Sequence, residues 1–207
     1  MAYTKIKAIR QRMDMSIEYI YRNDKTRYID DTGQEMFLRG SQNCIQEQAY
    51  ADMMSTKQRW NKDWGVAGYH IIQSFKAYEV QPQVALEIAA RFAEQYLGKY
   101  EVAYSAHLDA DNIHCHIVFN SVNCMDRGNF ADYYKGIRET SDSLCREYGL
   151  SVIPVSEQPQ GGKHYTERRA EKQGEPTWRD VIRADIDAAI SNAGSYGHFD
   201  QLRQGKG

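Results

Sequence analysis

Basic and apolar residues alternate from Lys5 to Arg10 (Lys5, Ile6, Lys7, Ala8, Ile9, Arg10), the two-residue period of a strand. Gly68–Phe75, Tyr100–His107 and His114–Asn120 also read as strands. Between the last two lies Leu108–Ile113, rich in Asp and Asn, so the pair is predicted to be an antiparallel hairpin. Helical spacing appears elsewhere. Asp14 or Ser16 is placed to cap a short helix running to about Asn23, and Gln46–Trp60 reads as another. Pro82 opens a helix whose stripe is Val84, Ile88, Phe92 and Leu97, and Gly98 ends it. Tyr133–Tyr148 is a helix closed by Gly149. Asn23-Asp24-Lys25 and Asp30-Asp31-Thr32-Gly33 carry turn chemistry. The polar stretch Gln158–Glu175, with Gly161-Gly162, reads as a linker or mobile loop. Thr177 and Asp180 resemble a capping box for a helix over Trp178–Ser191. The alternation of strands and helices predicts an α/β fold with a mixed or antiparallel sheet.

Composition narrows the class. A chain of 207 residues suits one domain, or one domain with an appendage. With 42% apolar and 26% charged residues it has the make-up of a soluble globular protein. No apolar run approaches the roughly 20 residues of a membrane span, and Met1–Arg12 lacks the apolar core of a secretory signal. Cys44, Cys115, Cys124 and Cys145 form no CxxC pair and read as reduced thiols in a cytosolic protein. The net charge of −2 rules out a chain-wide basic footprint for nucleic acid. Basic residues gather locally, however: Lys5, Lys7, Arg10 and Arg12 at one end, and Lys163, Arg168, Arg169 and Lys172 near the other. Such patches bind phosphate even when the total charge is near neutral. The 15 Tyr suit stacking on single-stranded nucleic acid and, equally, a wet protein interface.

The densest chemistry is His107-Leu-Asp109-Ala-Asp-Asn-Ile-His114-Cys-His116-Ile-Val-Phe-Asn120. Alternation puts His114 and His116 on one face of a strand and turns Cys115, Ile117 and Phe119 toward a core. The preceding turn folds His107 back across from that pair. Three imidazoles then converge, a ligand set for a divalent transition metal that leaves positions open for substrate. Scattered surface or core histidines are the bland alternative, and three of the chain's six His within ten positions argue against it. Asp109 is placed to orient a ligand, whereas Asp111 fits the turn itself. His70 and His164 read as structural or solvated.

A second constellation is Ser16-Ile-Glu-Tyr19-Ile-Tyr21-Arg22-Asn-Asp-Lys25-Thr26. On a continuous helix Tyr21 falls near the stripe of Ile17 and Tyr19 falls away from it. Tyr21 is then a core residue and Tyr19 is available, with Arg22 and Lys25 placed to flank a phosphate.

Together these segments resemble a known family. Tyr19-Ile-Tyr-Arg-Asn-Asp-Lys25-Thr, Gly68-Tyr-His-Ile-Ile-Gln-Ser-Phe75 with Glu79, and His107-x-Asp109…His114-x-His116-Ile-Val-x-Asn120 are similar to the ordered motifs of MobP-type relaxases. These are mobilisation nucleases of plasmids and conjugative elements, within the HUH endonuclease superfamily. The resemblance runs from about residue 5 to 155. It implies a central, mainly antiparallel sheet flanked by helices, with a catalytic domain over 1–157. Residues 158–207 would be a basic linker and a C-terminal helical segment that clamps DNA. It implies nicking of one strand at an origin of transfer, with Tyr19 as nucleophile. The products would be a 5′-phosphotyrosyl DNA and a free 3′ hydroxyl. His107, His114 and His116 would be the metal ligands, Asp109 an orienting or proton-accepting residue, and Arg22 and Lys25 DNA contacts. The ion would be Mn or Mg, with Zn, Ni or Co compatible with imidazole. The implied partners are single-stranded DNA, an accessory DNA-binding protein and a coupling protein. The chain would be the N-terminal part of a longer cytoplasmic protein. Glu79 occupies a family position without an assignable role.

Other readings of the same residues are a rolling-circle replication initiator or transposase of the same superfamily, a His-metal hydrolase using water, and a DNA-binding module without catalysis. The first differs in the biology it serves. The second predicts turnover without covalent DNA, and the third indifference to metal.

Overall fold

The computed structural model describes residues 3–131 and 134–154, with isolated positions 173, 174, 176 and 182. The chain divides into two compact units, Met1–Ser156 and Glu157–Gly207. The helix expected over 178–191 and the linker expected over 158–175 fall almost wholly outside the described residues.

The strands are β1 (Tyr3–Ile9), β2 (Arg27–Ile29), β3 (Glu35–Phe37), β4 (Arg39–Gln42), β5 (Gly68–Ser74), β6 (Val102–His107) and β7 (His114–Asn120). The helices are α1 (Met13–Ile20), α2 (Asn23–Thr26), α3 (Ala49–Arg59), α4 (Pro82–Leu97) and α5 (Tyr134–Glu147). Five strands make one sheet in the order β1-β5-β7-β6-β4, with every pairing antiparallel. This is the antiparallel sheet flanked by helices that the family resemblance implied; the alternation alone left a mixed sheet open. β2 and β3 form a separate hairpin around the expected turn at 30–33, where Gly33 takes φ 84°. β4 has no clear alternation and was not foreseen from the sequence; all four of its residues are half-buried.

The sheet buries two different faces. On one, Cys115, Ile117 and Phe119 of β7 pack with Ile88, Phe92 and Leu97 of α4 and with Ile137 and Leu144 of α5. The predicted stripe of α4 therefore sits in the larger core. On the other face, Met13, Ile17 and Ile20 of α1 pack with Met53 of α3 over Ala103 and Val118. Gly68 permits the close seat of α1. A Cβ there would meet Met13 Sδ and the Phe119 carbonyl oxygen, both at 2.6 Å. Glu101, buried with α3, receives bonds from Thr56 Oγ1 and from Asn120 Nδ2 (2.7 Å) and ties that helix to the sheet.

The N-terminus of α1 corrects an expectation. Neither Asp14 nor Ser16 caps it: Arg12 stands at the cap in the left-handed region, φ 54°. Its guanidinium is bound to Asp14. The helix also stops short of Asn23. Its last residue is Ile20, and Arg22 turns to ψ 128° before α2 begins.

Candidate active site

α1, β6 and β7 deliver the groups that converge. His107 and His114 are direct partners across the β6–β7 hairpin, and His116 follows on the same face, as the alternation predicts. One ring nitrogen from each lies within 4.8 Å of the other two. Each ring is turned by a bond at its other nitrogen. His107 Nε2 donates to the Ile20 carbonyl at 3.0 Å, one of the orphan carbonyls at the end of α1. His114 Nδ1 donates to the Asn112 carbonyl at 3.2 Å. His116 Nδ1 is 2.8 Å from His70 Nε2. That leaves His107 Nδ1 and His116 Nε2 buried with no hydrogen-bond partner among the described residues. Buried polar atoms are almost always satisfied. Two orphaned imidazole nitrogens beside a third ring fit a divalent cation.

Burial also keeps the rings of His116, His70 and His107 unprotonated. The value of His116 is pushed down to about 2, by desolvation first and by His107 next. That of His70 falls to about 4, by desolvation and then Lys7. His107 is lowered as well, again mainly by burial. A neutral imidazole offers the lone pair that a metal needs.

The Tyr19 ring stands edge-on above this cluster, 5.4 Å from the His107 ring and 5.6 Å from the His116 ring. Its side is open, at 40% exposure. Tyr21 points elsewhere: its hydroxyl donates to the Gly40 carbonyl at 2.7 Å, and burial raises its value. Tyr28, on β2, packs against the larger core.

Lys25 is brought in by the backbone. Leu108 N donates to the Lys25 carbonyl at 2.9 Å, which docks α2 beside the end of β6. Lys25 Nζ then pairs with Asp109 and lies 5.1 Å from the centre of the Tyr19 ring. The pairing raises Lys25 and lowers Asp109. Asp109 Oδ1 is 3.8 Å from His114 Nε2, beyond hydrogen-bond range. The continuous-helix placement of Arg22 beside Lys25 does not hold. The chain breaks at Arg22, whose guanidinium closes on Asp24 at 2.8 Å. Arg39 secures the break by donating to the Tyr21 carbonyl at 3.0 Å and to Asn23 Oδ1 at 3.2 Å. Asp111 shows no link to the cluster. Glu79 accepts from the Ser151 amide (2.7 Å) and hydroxyl (2.8 Å), which explains it as a structural tie.

His70, expected to be structural or solvated, is half-buried on β5 and stands against His116. Alternation along β5 does place it on the face of Ile72, the register partner of His116. The pairing of β5 with β7, which no local pattern announces, was the missing piece.

Comparison with known proteins identifies the family. The family model for relaxases, MobA/VirD2-like, nuclease domain, matches residues 19–150. A Staphylococcus aureus protein called Protein rlx is 32% identical over 171 residues, covering 80% of this chain and 52% of the relative. A second Protein rlx of that species is 30% identical over 173 residues, 80% of this chain and 53% of the relative. The group II intron-interrupted relaxase LtrB of Lactococcus lactis is 29% identical over 128 residues, 51% of this chain and 23% of LtrB. The chain thus spans about half the length of the Staphylococcus relatives. A solved structure from work on the molecular basis of vancomycin resistance transfer in Staphylococcus aureus is 14% identical, with a TM-score of 0.44. It covers 73% of this chain and 96% of that one. The match across residues 19–150 runs from the last turn of α1 through α5, and by it the chain belongs to the MobA/VirD2-like relaxases, nuclease domain, a family of DNA-nicking enzymes.

Proposed function

We propose that this domain nicks one DNA strand at an origin of transfer by attack of Tyr19 on the scissile phosphate, with a divalent ion held by His107, His114 and His116. The observation that carries this reading is the Tyr19 ring poised over His107 and His116, whose free nitrogens are buried together. The relaxase family model and the relative named as a relaxase, LtrB, support the same reading.

In the proposed step the phenol oxygen of Tyr19 bonds to phosphorus and the bond from phosphorus to the 3′ oxygen breaks. The phenol proton passes to solvent, and the departing oxygen takes one up to end as a 3′ hydroxyl, so the exchange is neutral in protons. The phosphodiester linkage is kept as a phosphotyrosyl ester, so the free 3′ end can reverse it. That suits strand transfer and resealing better than hydrolysis. An ion bound at the histidines would draw charge from the non-bridging phosphate oxygens and align them for in-line attack. Lys25, held charged by Asp109, stands where it can balance negative charge on the phenol oxygen and the phosphate. Asp109 acts by fixing Lys25. A carboxylate whose affinity for protons is lowered by that pair is a weak base, which favours the orienting role over proton acceptance. Arg22, exposed and closed on Asp24, would contact DNA by exchanging that carboxylate for a phosphate. Mn or Mg is the ion we assign, with Zn, Ni or Co also suited to imidazole. An accessory DNA-binding protein and a coupling protein are the partners proposed for the whole protein.

The test is incubation with a labelled oligonucleotide that carries an origin of transfer, with and without Mn, followed by a denaturing gel. A protein–DNA adduct that needs the ion and vanishes in Tyr19→Phe is expected. Cleavage without an adduct would make water the nucleophile and overturn the proposal.

A further inference from the structure

We infer that His70 is a positioning residue for the metal centre: its Nε2 accepts the Nδ1 proton of His116 and so holds His116 Nε2 as a bare lone pair toward the ion. The inference rests on the proposed role of the histidine triad as a metal site.

The geometry comes from the sheet. Ile72 of β5 is the partner of His116 on β7, and His70 stands two residues along on the same face. Diagonal neighbours of this kind are within reach of long or aromatic side chains. The two nitrogens meet at 2.8 Å, so one of them donates and the other accepts. The opposite nitrogen of His116 settles which. It is buried and meets no acceptor among the described residues. A proton there would be a buried donor left unmade, at a full desolvation penalty. With the proton on Nδ1, the buried nitrogen becomes a ligand atom and His70 the acceptor.

Ligand imidazoles commonly donate their second N–H to a carboxylate, a carbonyl or water. His107 and His114 follow that rule with the carbonyls of Ile20 and Asn112. His116 uses a second imidazole instead. A neutral acceptor orients the ring without subtracting from the charge of the centre. An ion held there would keep its pull for the phosphate, with Asp109 already paired to Lys25.

Three proteins test this: wild type, His70→Phe, which keeps the ring and removes the acceptor, and His70→Gln, whose amide oxygen accepts again. Mn affinity is measured by calorimetry on each, with thermal melts in chelator to compare their folds. The expected result is an affinity about 10- to 100-fold lower for His70→Phe, with most of it restored by His70→Gln. Equal affinity in His70→Phe, or no restoration by Gln, would overturn the assignment. Nitrogen-15 NMR of histidine in the metal-free wild type gives a readout independent of loading and of the variants' folding. His116 is expected to carry its proton on Nδ1; a proton on Nε2 overturns the inference and leaves the metal reading standing. Absence of Mn binding by the wild type would instead overturn the metal reading, and this one with it.

Discussion

The hydroxyl of Tyr21 is spent on the Gly40 carbonyl, while the ring of Tyr19 lies open beside the imidazoles. Tyr21→Phe is therefore expected to cost about 0.5–1.5 kcal/mol of stability, the net worth of one hydrogen bond, and to leave adduct formation intact. A melt and the denaturing gel check the two halves. Loss of the adduct with an unchanged melt would move the nucleophile from Tyr19 to Tyr21. Lys25 carries a separate expectation. Lys25→Met removes a fixed positive charge from the reacting centre and is expected to slow adduct formation by about 10²-fold, read in a single-turnover time course. Asp109→Asn keeps the shape of the pair and loses its charge, so its loss should be smaller. An Asp109→Asn rate below that of Lys25→Met would mean that the carboxylate takes the proton itself. Tyr19 and Tyr21 were separable in the sequence because Ile17 marked the buried stripe of α1. His70 was not, because its partner lies 46 positions away and only the sheet joins them.

α1 owes its position to the two ends of its own length. Met13 sits on Gly68, and the Ile20 carbonyl accepts a hydrogen bond from His107 Nε2. Gly68→Ala drives a methyl group into the Phe119 carbonyl and the Met13 sulfur. The expected cost is about 1–3 kcal/mol, the usual range for overpacking, measured by urea unfolding. A change under a few tenths would mean that α1 can lift without strain. The ends of this helix were poorly legible. Asp14 is a capping residue by type, yet it pairs with Arg12, which itself takes the cap position in a left-handed conformation. Nothing local stops the helix at Ile20 either, since no Pro or Gly follows. Arg39, from β4, and Leu108, after β6, impose the break from outside. By contrast, β7 and α4 were legible throughout, because alternation in one and the stripe from Val84 to Leu97 in the other agree with what the sheet buries.

At the scale of the molecule, burying imidazoles on one face of the sheet makes stability depend on pH. His70, His107 and His116 bind protons less readily folded than unfolded. Above about pH 6.5, the ordinary histidine value, both states are neutral and the full stability is present. Below it the unfolded chain takes up protons that the folded one refuses. Stability is then lost as pH falls toward about 4 for His70 and about 2 for His116. Glu101 and Asp142, raised by burial, act in the opposite sense nearer the carboxylate range. Metal-free protein melted between pH 7.5 and 5.5 is expected to show a midpoint that falls with pH; a flat profile would place these rings in water. The α/β class and the antiparallel β6–β7 hairpin could be read from the strand and helix patterns, while the pattern alone left the rest of the sheet mixed or antiparallel. The strand order, with β7 between β5 and β6, could not, because pairing across 40 or more residues leaves no local mark. The fastening of α1 at Gly68 and His107 also has a mechanical side. A strand joined to Tyr19, as proposed, would be joined to a short helix pinned near both ends to the middle of the sheet. Tension on that strand is shared between two anchor points on β5 and β6, and an eight-residue helix does not have to bear it alone.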